Sequence, residues 1–155
     1  MTEAQQPAAT FQIEKIYVKD LSLEIPHAPQ VFAEQVQPQI DVRIESGELR
    51  FQQDYYEVTL SVTITARSGE RTLFLVEAVQ AGIFALRNVP EADLGPLLGI
   101  ACPTVLFPYL RETISDVVTR GGFPPLLLTP ISFEQLYLQR MQQQESGAPR
   151  IETAS

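Results

Sequence analysis

Alternation of apolar and polar residues runs through the first half of the chain and predicts β-strands. The segments that show it are residues 11–25, 39–45, 55–66 and 72–84. The last segment is apolar on both faces, which is typical of a strand that is covered on both sides or lies at a subunit contact. Gly69 in the intervening ARSGER supplies a permissive backbone, so the third and fourth strands are expected to form a hairpin.

Proline-rich and helical patterns organise the rest of the chain. Three prolines in PHAPQVFAEQVQP, residues 26–38, exclude regular sheet and predict a crossover loop. A helix beginning near Pro103 carries an apolar stripe at helical spacing, Pro108 is expected to kink or restart it, and Gly121-Gly122 ends it. Residues 124–130 form an apolar connector. A last helix begins at Ser132, and we expect it to bury Phe133, Leu136, Tyr137 and Met141.

Strands followed by helices predict an α+β fold in which helices pack on one face of a four-stranded antiparallel sheet. At 155 residues the chain suits one domain, which we assign to residues 11–142. Residues 1–10 are expected to be a disordered N-terminus and residues 143–155 a flexible polar tail.

The sheet face turned away from the helices is predicted to be acidic. Its carboxylates are Asp20, Glu24, Asp41, Glu45, Glu57 and Glu77, against the single cation Arg43. One interpretation is a solvated face that keeps the protein soluble. The other is a docking surface for a cationic partner, with Leu75 beside Glu77 as an apolar anchor.

The composition of the chain limits the kinds of partner that it can bind and the cellular compartment in which it is expected. The formal net charge of −8 disfavours nucleic acid and anionic membrane surfaces. A single cysteine excludes an intrachain disulfide and fits a reducing compartment. The N-terminus lacks the pattern of a signal peptide, and no apolar run is expected to reach the roughly 20 residues of a membrane span. We therefore expect a soluble, cytoplasmic protein without direct membrane insertion.

No constellation of catalytic or metal-binding residues is evident, so neither an enzyme nor a bound cofactor or metal is expected. Cys102 has no histidine nearby in sequence, since the only one, His27, lies in the crossover. Glu112 and Asp116 share a helix face, which usually indicates a solvated stripe. An enzyme such as a thioesterase remains an alternative only if one of them points into a closed pocket.

Several motifs together closely resemble the SecB family of bacterial protein-export chaperones. They are FQIEKIYVKDLSLEIPHAP (11–29), EVTLSVTITA (57–66), GIFAL (82–86), CPTVLFPYLRETIS (102–115) and RGGFPPLLLTPISFEQLY (120–137). The resemblance spans residues 10–142 and implies a homotetramer built as a dimer of dimers. It also implies an ATP-independent chaperone that holds unfolded precursor proteins and delivers them to the SecA motor, whose basic tail carries the zinc.

The resemblance also implies roles for particular residues. The residues that match the family's SecA-docking positions are Asp20, Glu24, Leu75 and Glu77. The residues that match positions influencing the stability of the tetramer are Val76, Ala78 and Gln80. Those matching the client-binding grooves are Val36, Val42, Ile44, Leu126, Leu127, Tyr137 and Met141, although Tyr137 and Met141 could equally be packing residues. A second hypothesis is an adaptor that binds a basic partner without holding clients.

Overall fold

A four-stranded antiparallel sheet is the framework of the chain, and the structure, a computed structural model, describes residues 7–146. Its strands are β1 (Thr10–Glu24), β2 (Gln39–Gln52), β3 (Tyr55–Ser68) and β4 (Arg71–Arg87), in the spatial order β1-β4-β3-β2. The turn at Gly69, whose φ is 62°, joins β3 to β4 as predicted. The sheet therefore has two edge strands, β1 and β2, and the longest strand, β4, lies inside it.

Strand β2 extends well beyond its predicted end near residue 45. The alternation fails at Ser46-Gly47-Glu48, but the pairing with β3 continues without a register shift as far as Arg50. Gly47 lies opposite Thr59 at close range, because a Cβ at Gly47 would be 3.0 Å from the Thr59 Oγ1. Backbone pairing thus carries the strand through a segment whose side chains give no periodic signal.

One continuous helical run follows the sheet. It consists of α1 (Glu91–Pro96), a π-helical turn (Leu97–Ala101) and α2 (Cys102–Arg120). The widened turn comes just before Pro103, where a tight helix would bring the proline ring against the carbonyl four residues earlier. Of the two expected effects of Pro108, a kink or a restart, the restart does not occur, since α2 continues through that residue.

A separate helix, α3 (Phe133–Ser146), closes the described part of the chain. The Ser132 Oγ accepts a hydrogen bond from the Gln135 backbone N–H at 3.3 Å, as the capping pattern predicts. Residues 143–146, which the sequence assigns to the flexible tail, are helical here. The expectations for residues 1–6 and 147–155 lie outside the described residues.

The core lies between the sheet and α2. The α2 side chains buried there are Cys102, Pro103, Leu106, Leu110, Ile114 and Val118. Gly82 of β4 allows the helix to approach, because a Cβ there would be 3.0 Å from a methyl carbon of Leu106. The predicted α+β architecture, with helices packed on one face of the sheet, is confirmed.

The helical run Glu91–Arg120 is long and apolar enough to satisfy a length-and-composition criterion for a membrane span, with a mean hydropathy of 1.3. This run was not anticipated from the sequence, and by itself it is weak evidence for a membrane span. The buried stripe of α2 explains its hydropathy, because a helix that packs on a sheet carries the same apolar residues.

Candidate functional site

The uncovered face of the sheet brings the predicted SecA-docking residues together. In the β1–β4 register Glu24 lies opposite Leu75, and Asp20 lies four pairs further on, opposite Val79. Glu77 lies between them on β4. Directly opposed residues of an antiparallel pair point to the same side, so these side chains form one patch. Asp20, Glu24 and Glu77 are exposed, whereas Leu75 is half-buried.

The same registers place β2 and β3 residues on this side. Asp41 lies opposite Thr65, Arg43 opposite Thr63 and Glu45 opposite Ser61, and these β3 residues in turn lie opposite Leu75, Glu77 and Val79. We call this surface of Asp20, Glu24, Asp41, Glu45 and Glu77, with its central Leu75 and Val79, the acidic face. Its corners are separated by three strand spacings, about 14 Å, so it is broad enough for a folded partner.

Glu57, the sixth carboxylate predicted here, is neutralised within the chain. Its carboxylate accepts hydrogen bonds from the Lys19 ammonium at 2.7 Å and from the Tyr17 hydroxyl. These hydrogen bonds, the one from Lys19 foremost, lower the pKa of Glu57. Burial, together with the hydrogen bond to Glu57, raises the pKa of Tyr17 to about 12.

The count of six carboxylates against one cation is therefore wrong, since it omits Lys19. A register shift between Val18 and Asp20 marks a β-bulge at Lys19. The tethered Glu57 carboxylate is not open to a cationic partner. Within residues 7–146, no basic side chain forms an ion pair with Asp20, Glu24 or Glu77.

The second candidate surface is an apolar groove along β2, on the side of the sheet that faces α2. It consists of three adjoining cavities of about 370, 430 and 440 Å³. Ile40 and Leu126 line both the first and the second cavity, and Ile44 lines both the second and the third. We call these joined cavities the apolar groove.

Three segments form the walls of the groove. The crossover and the start of β4 close its first cavity, the connector covers its second, and α3 borders its third. The residues of the first cavity are Val36, Pro38, Ile40, Leu73, Phe74, Phe123, Pro124, Pro125 and Leu126. Those of the second are Ile40, Val42, Ile44, Leu126, Leu127, Leu128, Thr129 and Ile131. Those of the third are Ile44, Glu45, Ser46, Phe133, Leu136, Gln139, Arg140 and Gln143.

Five of the seven predicted client-binding residues line this groove. They are Val36, Val42, Ile44, Leu126 and Leu127. Ile40 was missed, although it continues the alternation of Val42 and Ile44 and could have been found from that pattern. Phe74 and Phe123 were missed because their approach depends on the tertiary fold.

Tyr137 and Met141 are not among the residues that line the three cavities. The Tyr137 side chain packs on the helical run instead, since a Cβ at Gly95 would lie 2.6 Å from its hydroxyl oxygen and a Cβ at Gly99 would lie 2.6 Å from a ring carbon. The packing interpretation is therefore the one that the geometry supports for Tyr137. Met141 and Leu136 are exposed, so the expectation that α3 buries them is wrong.

The predicted assembly residues Val76, Ala78 and Gln80 are buried inside the chain beneath α2. The Gln80 amide donates a hydrogen bond to the Tyr17 carbonyl at 3.2 Å and accepts one from the Thr113 hydroxyl at 3.0 Å. These residues therefore contact α2 and β1, and any influence on assembly must be transmitted through those elements.

Edge strand β1 carries the apolar residues that a subunit contact would cover. Those exposed on β1 are Phe11, Ile13, Val18 and Leu21, and Tyr109 of α2 is half-exposed at 50%. A row of exposed apolar side chains along an edge strand is unusual for a protein that acts as a monomer.

The residues that could support catalysis do not form a site. Cys102 is fully buried, and burial, with a smaller contribution from Glu48, raises the pKa of its thiol to about 12. Glu112 and Asp116 are exposed on α2, and Asp116 pairs with Arg120 at 3.2 Å. Among residues 7–146, no group of three or more His, Cys, Asp or Glu side chains is placed to hold a metal ion.

Comparison with known proteins finds relatives that match this chain over nearly its whole length and that share one description. The family described as SecB, preprotein translocase subunit SecB, matches residues 3–144. The protein-export protein SecB of Chromobacterium violaceum is 58% identical over 148 residues, which cover 95% of this chain and 99% of that protein. The protein-export protein SecB of a Neisseria meningitidis serogroup C strain is 53% identical over 149 residues, covering 96% of this chain and all of its relative.

A solved structure shares the fold at low sequence identity. It is the SecB-like chaperone of Mycobacterium tuberculosis in complex with a ChAD peptide from an antitoxin, with a TM-score of 0.66 and 20% identity. The match covers 79% of this chain and 91% of that one.

These relatives define a class of protein-export chaperones, which are not enzymes. The chain belongs to the SecB family.

Proposed function

We propose that this chain is an ATP-independent holdase that binds unfolded precursor proteins, keeps them competent for translocation and delivers them to SecA. The observation that carries the proposal is the apolar groove. Its walls expose large apolar side chains, with Leu127 63% and Val42 41% accessible, next to the edge strand β2. Open apolar surface of this kind is costly in water and favours a ligand that covers it.

The shape of the groove suits an extended polypeptide. From Ile40 to Ser46 the wall formed by β2 is about 20 Å long at 3.3 Å per residue, so a client segment of about six residues would fit. Alternate side chains of such a segment would point into the cavities. Folded proteins keep these side chains buried, so apolar burial, at about 25 cal/mol per Å², selects unfolded chains.

Delivery to SecA is supported by the acidic face. Three exposed carboxylates and an apolar centre at Leu75 complement a compact basic partner such as the zinc-bearing tail of SecA. The face lies on the side of the sheet opposite α2, so a partner can dock there while a client occupies the groove. We place this activity in the cytoplasm.

Assembly as a dimer of dimers is supported by the exposed apolar residues of β1. A tetramer would place several grooves on one particle. Weak binding to separate segments of one long client would then add up, because each further segment binds at a high effective concentration.

A single substitution in the groove tests the holdase. Leu127→Asp places a charge on the connector wall and is expected to weaken binding of a permanently unfolded polypeptide, reduced and carbamidomethylated α-lactalbumin, by about tenfold, since burying a leucine is worth roughly 1.5–3 kcal/mol. The dissociation constant is measured by fluorescence anisotropy without nucleotide, alongside suppression of aggregation of a diluted denatured protein.

Leu138→Asp is the matched control, because Leu138 is 53% exposed on α3 but lines none of the three cavities. Failure of the unsubstituted chain to bind the polypeptide or to suppress aggregation would contradict the holdase and favour an adaptor that binds only a basic partner.

A further inference from the structure

The first cavity of the groove is closed by three segments that are distant in sequence. Val36 and Pro38 come from the crossover, Leu73 and Phe74 from the start of β4, and Phe123 from the turn between α2 and the connector. The β4 residues belong to the sheet and are fixed by its backbone ladder. The width of the cavity therefore depends on how the crossover is held against β4.

The first half of the crossover is well anchored. Val31 is buried and its N–H donates to the His27 carbonyl at 2.9 Å, while the Phe32 N–H donates to the Pro29 carbonyl at 3.0 Å. The Phe32 ring also packs on Phe123, with ring centroids 5.2 Å apart.

The second half of the crossover, residues 34–38, lacks this backbone support. It contains no helix or strand, and within the described part of the chain none of its backbone groups takes part in a turn or loop hydrogen bond. Yet this is the half that contributes Val36 and Pro38 to the groove. A backbone without hydrogen bonds opens at low free-energy cost unless side chains hold it.

An ion pair ties this half to the sheet, in addition to the packing of Val36 against the core. Arg71 Nη1 donates to both carboxylate oxygens of Glu34, at 2.6 and 2.8 Å. Arg71 is the first residue of β4, two residues before Leu73, and Glu34 lies two residues before Val36. The ion pair thus joins the crossover wall and the β4 wall of the first cavity, two residues before each wall begins.

The pair is less exposed to solvent than an ordinary surface ion pair. The Arg71 side chain is only 33% exposed, and its Nε atom is buried. Because one edge of the guanidinium is packed against protein, the group loses less conformational freedom on pairing than a fully solvated side chain.

We infer that Arg71 and Glu34 are positioning residues that hold the crossover wall of the apolar groove and thereby set its affinity for apolar client segments. This inference rests on the proposed holdase function. Fixing the wall in advance reduces the ordering cost that a client would otherwise meet on binding.

The test is a charge-swap cycle in the full chain, with reduced and carbamidomethylated α-lactalbumin as the probe. Arg71→Gln and Glu34→Gln are each expected to raise the Kd about two- to fivefold, the range that a partly exposed ion pair supports. Arg71→Glu, which leaves two carboxylates facing each other, is expected to raise the Kd at least as much. The double variant Glu34→Arg with Arg71→Glu is expected to return the Kd to within about twofold of the unsubstituted chain.

Arg120→Gln is the matched control, because it removes the same charge from an ion pair on α2 that does not line the groove. Thermal midpoints are measured for every variant, because a raised Kd at an unchanged midpoint separates a change in the groove from a general loss of stability. An unchanged Kd for Arg71→Gln would overturn the inference, and so would a swapped pair that binds no better than the single variants.

If Leu127→Asp weakens binding while the Arg71 variants do not, the inference fails and the holdase stands. If the unsubstituted chain does not bind the probe, the holdase itself fails.

Discussion

Glu57 shows how one side chain can be withdrawn from a charged surface. It lies on β3, two residues along from Thr59, and receives Lys19 and Tyr17 from β1 across the intervening strand β4. Ala81 of β4, opposite both Tyr17 and Thr59, is small enough for side chains to pass over it. The result is a polar tie between two strands that do not pair with each other.

This tie should make stability sensitive to acid. The pKa of Glu57 lies below its ordinary value of 4.5, so the ionised carboxylate is favoured by the fold. Its contribution is present above the unfolded pKa and is lost as the pH falls through the lower folded value. We predict that Glu57→Gln flattens the fall in the free energy of unfolding on acidification from pH 5 to pH 3, by less than about 1 kcal/mol, because the pair is partly exposed.

Urea unfolding at a series of pH values measures the effect. Glu70→Gln, in the exposed β3–β4 turn, serves as the control and should keep the slope of the unsubstituted chain. Equal slopes for Glu57→Gln and the unsubstituted chain would show that the tie contributes nothing to acid stability.

The helices and strands differ in how far their patterns could be interpreted from sequence. The strict alternation of β3 predicted its buried and open faces correctly, because a period of two allows only two sides. The apolar positions of α3 were less informative. Phe133 is buried and Tyr137 packs on Gly95 and Gly99, but Leu136 is 40% exposed.

Two kinds of information were absent from the periodic pattern. A helical stripe shows which residues are apolar, but it does not show what they contact. The packing site of the Tyr137 side chain is formed by two glycines about forty positions earlier in the chain, so it could not be found from the stripe. A β-bulge adds one residue to a strand without any characteristic composition, so the position of Lys19 could not be predicted. The acidic face and five groove residues were predictable because they follow strand alternation or the family resemblance.

The exposed apolar residues of edge strand β1 allow a prediction about the number of chains in the assembly. Val18 is 46% exposed near the middle of this strand. If β1 forms the proposed subunit contact, Val18→Lys places an unpaired charge in it and should shift the protein from four chains to smaller species. Light scattering coupled to size exclusion measures the mass.

Leu49→Lys is the matched control, because Leu49 is 59% exposed on the other edge strand, β2. It should leave the mass unchanged. A Val18→Lys protein that keeps the mass of four chains would place the subunit contact away from this strand.

The chain presents two surfaces on opposite sides of the sheet, and they share only Glu45 on the edge strand β2. The acidic face lies on the side turned away from α2, and the apolar groove lies on the other side, between β2, the connector and α3. Side chains of successive strand residues point to opposite sides, so Arg43 contributes to one surface and Val42 to the other. The proposed client and the proposed basic partner would therefore bind on opposite sides of the sheet.

Separation of the two surfaces predicts that their binding functions can be changed independently. Glu77→Lys reverses a charge at the centre of the acidic face and is expected to weaken SecA binding about tenfold at low salt, with a smaller loss at high salt where exposed charges are screened. Binding of the unfolded polypeptide should stay within about twofold, because Glu77 lines no part of the groove. Glu145→Lys is the control, because it makes the same change in net charge at the end of α3 and should leave SecA binding unaltered. It separates the effect of the lower net negative charge of the chain from the effect of losing Glu77 itself. Equal SecA affinity for Glu77→Lys and the unsubstituted chain would place the SecA contact elsewhere, and a parallel loss of client binding would mean that the sheet couples the two surfaces rather than separating them.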